Sequence, residues 1–222
     1  MKSFIFLLIS LLGLLFSTPI FGQDKPIRIF ISADMEGIAG AVQSDQLGKG
    51  GMEYQKFREV MTNEVLAAIE GAREGGATEF VVADSHGSML NLLVDRFPKD
   101  VKIVRGNTRP LGMMEGIQYG HFDGTIFIGY HASSVNTKGV RAHTFSGSNL
   151  SEVNINGVSA SEGYFSAGIS GEYGVPVIMV SGDDAATKEI RSTVGDMEVA
   201  VVKQSLSLES AITMTPKAAQ DL

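Results

Sequence analysis

Apolar residues fall into two rhythms along this chain. Short, mostly apolar runs recur over residues 27–33, 79–83, 101–104, 125–130, 176–180 and 197–202. Each is the length of a strand buried on both faces. Between the first two runs the rhythm changes. Phe57, Val60, Met61, Val65, Leu66 and Ile69 recur at three- and four-residue steps, which predicts a helix over residues 52–74 with one apolar face. Gly75-Gly76 stops it. A second helix is expected from about residue 160 to 173, weakened by Gly163, Gly168 and Gly171. A third runs to about Thr193, with Asp183 or Asp184 as its cap. Residues 112–117 suggest a helical turn. Residues 153–155 suggest a short strand that Asn156-Gly157 turns back. Residues 37–51 and 134–139 are polar loop, and 141–146 is irregular or a short strand.

Continuous strands alternating with helices indicate an α/β fold, a mostly parallel sheet with helices on both faces. No internal repeat or linker divides the chain, so one domain is expected over residues 23–222. Met214-Thr215-Pro216-Lys217 reads as the opening of a helix, and the domain is expected to lack a C-terminal segment.

The N-terminal residues follow neither rhythm. Met1-Lys2-Ser3 leads into an apolar run over residues 4–16, and small and turn-forming residues follow to Gly22. A basic start, an apolar core and a small-residue exit read as a secretory signal peptide over residues 1–22. The run is short for a membrane span, and Lys25 and Arg28 follow closely. A secreted or periplasmic protein with no membrane attachment after cleavage is the expectation. The chain has no cysteine, so neither a lipid-anchored cysteine nor a disulfide contributes. A net charge of −7 without basic runs argues against nucleic acid. Gly48-Lys49-Gly50-Gly51 lacks the spacing of a phosphate-binding loop, and no strand runs directly into it. No Gly-x-Ser-x-Gly elbow is present, which speaks against a serine hydrolase.

What remains is metal chemistry. The first strand ends in Ser32-Ala33-Asp34-Met35-Glu36-Gly37. Side chains alternate along a strand, so Asp34 and Glu36 project to one side, roughly 6–7 Å apart. Two such acids repel unless a cation or a shared proton relieves them. His86 follows the second strand and His131 the fourth, and the chain has four histidines in all. Ligands of open α/β sheets sit beyond the carboxyl ends of the strands, where these residues can converge. A carboxylate and imidazole set without thiolate suits zinc, and less specifically manganese or cobalt. Two ions would need more ligands. Glu162 is a candidate on the first turn of a helix, although such an acid is ordinarily a solvated N-terminal charge. His143 is a candidate acid–base or electrophilic group. His121 lies ahead of the fourth strand, at its far end, and reads as surface.

The segments Ser32–Gly37, Asp84-Ser85-His86-Gly87, Gly129-Tyr130-His131-Ala132, His143-Thr144, Asn156-Gly157 through Glu162, and Gly174-Val175-Pro176-Val177 to Ser181-Gly182-Asp183 together resemble the M55 family of D-aminopeptidases, which are zinc peptidases. The resemblance covers most of the chain in family order. It implies an α/β fold with two zinc ions per subunit. Asp34 would bridge them, Glu36 and His86 would complete one site, and His131 and Glu162 the other. His143 matches the catalytic histidine. Lys203 matches a lysine that the family tends to carry, with no role assigned. The implied activity is release of N-terminal D-amino acids, D-alanine-like, from short peptides by metal-activated water, by a homo-oligomer. Ser159-Ala160-Ser161 departs from a more glycine-like approach to Glu162, and the family pattern continues past Leu222. The rival readings are another metal-dependent amidase or phosphoesterase on the same ligands, and a non-catalytic periplasmic peptide-binding protein. Export makes its own prediction. N-terminal sequencing of the exported protein should find a new terminus between Thr18 and Asp24, and an intact Met1 would contradict it.

Overall fold

The computed structural model describes residues 25–222, so the expected signal peptide lies outside the described residues. The chain runs β1 (Ile27–Ala33), α1 (Ser44–Leu47), α2 (Tyr54–Glu74), β2 (Ala77–Asp84), β3 (Val101–Val104), β4 (Gly124–Tyr130), β5 (Asn154–Ile155), β6 (Val158–Ser159), α3 (Glu162–Glu172), β7 (Val177–Asp183), α4 (Asp184–Val194), β8 (Glu198–Ser207), β9 (Ser210–Thr213) and α5 (Pro216–Gln220). Seven strands form one sheet in the order β3-β2-β1-β4-β7-β8-β9. Every neighbouring pair in it is parallel except β8 with β9. Among the described residues, no helix is long and apolar enough to cross a membrane.

Alternation along β1 shows why its run is mostly apolar. Ile29 and Ile31 face Phe57, Met61, Val65 and Ile69 of α2 in one core layer. Phe30 faces the other way, into a layer with Phe122, Phe127, Val180 and Ile190. Both faces of the strand are dry beyond Arg28, so a polar residue there must find a partner inside, as Ser32 does.

The expected elements are present, with one addition, the short helix α1 inside the expected polar loop over residues 37–51, and three refinements. Asp183, not Asp184, caps α4, accepting hydrogen bonds from the Ala185 and Ala186 amides through its side chain. The helical turn after Gly112 is two 3-10 turns, Gly112–Met114 and Ile117–Tyr119, separated by Gly116 at φ +112°. β8 runs on to Ser207 and returns as β9. That edge hairpin carries Gln204, Ser205 and Ser207 among its apolar residues, so it has no continuous run to announce it.

The topology positions the site. Strand order reverses between β1 and β4, the crevice where open α/β sheets hold ligands. There the backbone after β1 folds tightly over β4. The Asp34 amide donates to Ile128 O at 2.8 Å, and the Gly37 amide to Gly129 O at 2.7 Å. A Cβ on Gly37 would lie 2.1 Å from Tyr130 O, and one on Gly129 would lie 2.4 Å from Asp34 O. Both positions require glycine because two main chains touch. Gly37→Ala should therefore destabilise the protein by roughly 1–3 kcal/mol or more. Chemical denaturation reads this directly, and an unchanged midpoint would contradict the close approach.

Candidate metal centre

Six side chains meet above the reversal point. Asp34 and Glu36 follow β1, His86 follows β2 and His131 follows β4. Glu162 opens α3, and His143 comes from the irregular segment between β4 and β5. All but His143 are buried. His86 Nδ1 lies 2.8 Å from Glu36 Oε2 and 3.2 Å from Asp34 Oδ1. His131 Nε2 lies 3.4 Å from Asp34 Oδ2 and 3.3 Å from Glu162 Oε2. Asp34 thus turns one oxygen to each imidazole. The His143 ring stacks on His131 with centroids 4.1 Å apart, and its Nε2 is 3.8 Å from Glu162 Oε1. His121 is exposed and stands apart from the cluster. The group opens onto a recess of about 170 Å³, also lined by Met89, Met113 and Phe145.

Local structure aims each group. The Ser161 side chain caps α3 by accepting from the Tyr164 amide, so the departure before Glu162 supplies a helix cap. Glu162 Oε1 accepts the Phe145 amide at 2.7 Å, leaving Oε2 toward His131. Beneath the cluster, Ser32 Oγ lies 2.8 Å from Ser85 Oγ and 2.7 Å from Tyr130 Oη. This hydroxyl network ties the ends of β1, β2 and β4 together. Sequence reading passed over it, because serines in apolar strands carry no pattern of their own.

The tautomers decide the electrostatics. His86 Nε2 is 2.6 Å from Leu47 O, His131 Nδ1 is 3.0 Å from Ala132 O, and His143 Nδ1 is 2.7 Å from Arg141 O. A carbonyl only accepts, so each ring donates there and presents its other nitrogen to the carboxylates. In a neutral ring that nitrogen is a bare lone pair facing anionic oxygen. Asp34 Oδ2 and His131 Nε2 are buried and make no hydrogen bond, which is rare for buried polar atoms. A cation between the facing atoms would satisfy both. Without one, the site recruits protons. Burial, and then the Glu36 charge, lift the Asp34 carboxyl well above its usual range. Burial would lower His131, but Glu162 and then Asp34 outweigh it and raise the imidazole to about 10. Burial, reinforced by the His131 charge, holds His143 below its ordinary value.

Comparison with known proteins agrees with this geometry. The family model described as peptidase M55, D-aminopeptidase, matches residues 27–222. The chain is 34% identical over 190 residues to the D-aminopeptidase of Bacillus subtilis (strain 168), covering 86% of this chain and 68% of that protein. Among solved structures it is similar to one titled as the zinc-dependent D-aminopeptidase DppA from Bacillus subtilis, a self-compartmentalizing protease. That match has a TM-score of 0.83 and 33% identity, covering 88% of this chain and 70% of the other. The chain belongs to the M55 family of D-aminopeptidases. It is accordingly a hydrolase, and it has the fold expected from the strand pattern.

Two buried groups flank this cluster without entering it. Lys203 is 2% exposed, and burial lowers its ammonium to about 8. Glu64 of α2 accepts the Ala39 amide at 2.8 Å. Burial raises its carboxyl from 4.5 to about 7, against the Ala39 hydrogen bond and the Lys203 charge. A carboxyl raised on folding contributes stability that is fully present below pH 4.5 and is lost as pH climbs through about 7. Glu64→Gln keeps an acceptor for Ala39 but cannot ionise. Urea midpoints should show the wild type losing stability relative to Glu64→Gln between those pH values, by at most roughly 3 kcal/mol. A pH-independent difference would contradict the assignment.

Proposed function

We propose that this protein is an exported zinc aminopeptidase that releases N-terminal D-amino acids, D-alanine-like, from short peptides. One observation carries the reading. Asp34 sits between two imidazoles with one carboxylate oxygen toward each, the arrangement of a bridging ligand. Glu36 and His86 would complete the coordination of one ion, and His131 and Glu162 that of the other. The two ions would supply Lewis acidity toward the scissile carbonyl and toward water. The backbone carbonyls of Leu47 and Ala132 fix the ring tautomers that present ligand lone pairs.

His143 is the group left for the substrate. Its Nδ1–H is held by Arg141 O, and its depressed basicity keeps the ring neutral near pH 7. Nε2 is then free to take a proton during the reaction and return it to the leaving amine. The recess beside it is small, which suits a short side chain, and its carboxylates suit a free α-amine. The apolar leader supports export to the periplasm or beyond. The self-compartmentalizing description of the structural relative supports a homo-oligomer.

Metal analysis beside hydrolysis of matched D- and L-alanyl amides tests the reading. The expected result is two zinc equivalents per chain and turnover of the D-substrate that a chelator abolishes. Turnover of a phosphate ester instead, or peptide binding without hydrolysis at full zinc, would overturn it. Two variants separate the roles. Asp34→Ala should lose both equivalents. His143→Ala should keep zinc and fold while turnover falls by roughly 10²–10⁴. Zinc lost from His143→Ala would make that residue a ligand.

A further inference from the structure

Lys203 is a charged side chain that neither metal coordination nor substrate chemistry uses. It lies on β8, in register with Asp183 of β7 and Thr213 of β9. A buried ammonium must satisfy its donors inside the protein. Lys203 does so on main-chain oxygen. Its Nζ donates to Glu36 O at 2.5 Å, Ile38 O at 3.1 Å and Ala41 O at 2.5 Å. All three carbonyls belong to the turn that begins at Glu36.

The amides of the same turn are held by other partners. Ala39 N–H donates to Glu64, Gly40 N–H to Thr213 Oγ1 at 2.7 Å, and Gly37 N–H to Gly129 O. Each of these grips one group. The ammonium gathers three carbonyls onto one point and closes the turn. Asp183, the nearest acid on the neighbouring strand, is occupied elsewhere. It accepts the Val140, Ala185 and Ala186 amides, so it leaves the ammonium to the turn. The Glu36 side chain leaves the same residue whose carbonyl Lys203 holds. Its carboxylate reaches His86 at 2.8 Å, and a shift of the turn moves that carboxylate away from it.

We propose that Lys203 is a positioning residue for the metal centre, which orients Glu36 by clamping its turn and so sets the affinity of the ion shared by Glu36 and His86. This rests on the two-ion reading above. It predicts that the two ions respond unequally to loss of Lys203, because no Lys203 contact reaches His131 or Glu162.

Chelator-competition titration of zinc into the full chain tests this with Lys203→Met, alongside the wild type and Lys203→Arg. The expected result is a Lys203→Met protein in which one of the two ions binds roughly 10–100-fold less tightly, with the other little changed. The kcat should fall with KM nearly constant, and Lys203→Arg should recover part of the affinity. A purely structural lysine would lower the melting temperature of the chelated protein and leave zinc affinity alone. Folded Lys203→Met with both affinities within about twofold of the wild type would overturn the proposal. Should Lys203→Met fail to fold, Lys203→Arg decides. A planar guanidinium cannot converge on three carbonyls as an ammonium does, so unchanged zinc affinity there would also overturn it. A wild type that binds other than two equivalents refutes the two-ion reading. Two equivalents with unaffected variants refute the role of Lys203 alone.

Discussion

Three carboxylates, Asp34, Glu36 and Glu162, are buried together at one point of the sheet. Charges taken out of water and set side by side repel, and each has lost its hydration. Much of the surrounding structure answers that constraint. Two imidazoles face the acids with their outer nitrogens tied to carbonyls. The glycines at 37 and 129 let the two strand ends touch. The hydroxyls of Ser32, Ser85 and Tyr130 lock the strand ends that carry the cluster. Such an arrangement stores a demand for positive charge. Protons relieve it in the same direction, since the facing carboxylates raise the His86 and His131 imidazoles. Divalent cations would meet it by accepting the imidazole and carboxylate lone pairs.

The same constraint separates His143 from its neighbours. It stacks on His131, yet it is only partly buried, and its basicity is lowered where that of the other two site histidines is raised. One imidazole among three is thus kept neutral beside the open recess. The difference in basicity follows from burial and from which charge each ring faces.

Most of this was legible in the chain. Strands buried on both faces have mostly apolar runs, so β1 and β4 could be placed to within a residue or so. Their carboxyl ends then named Asp34, Glu36, His86 and His131. Glu162 and His143 were not legible from pattern. One stands at a helix start where solvated acids are common, and the other in a segment without regular structure. Both needed the family resemblance. The β8–β9 hairpin and α1 were missed because short, half-exposed elements have no period long enough to read. Lys203 showed as a lysine after an apolar strand, but its partners are backbone carbonyls some 160 positions away. Main-chain acceptors leave no mark in side-chain identity.

The central claim is that Asp34 bridges two cations. Anomalous diffraction at the zinc edge, from crystals of the zinc-loaded protein, tests it most directly. The account predicts two peaks flanking the Asp34 carboxylate, one beside Glu36 and His86 and the other beside His131 and Glu162. A single peak, or a peak ligated by His143 with Asp34 uninvolved, would contradict it.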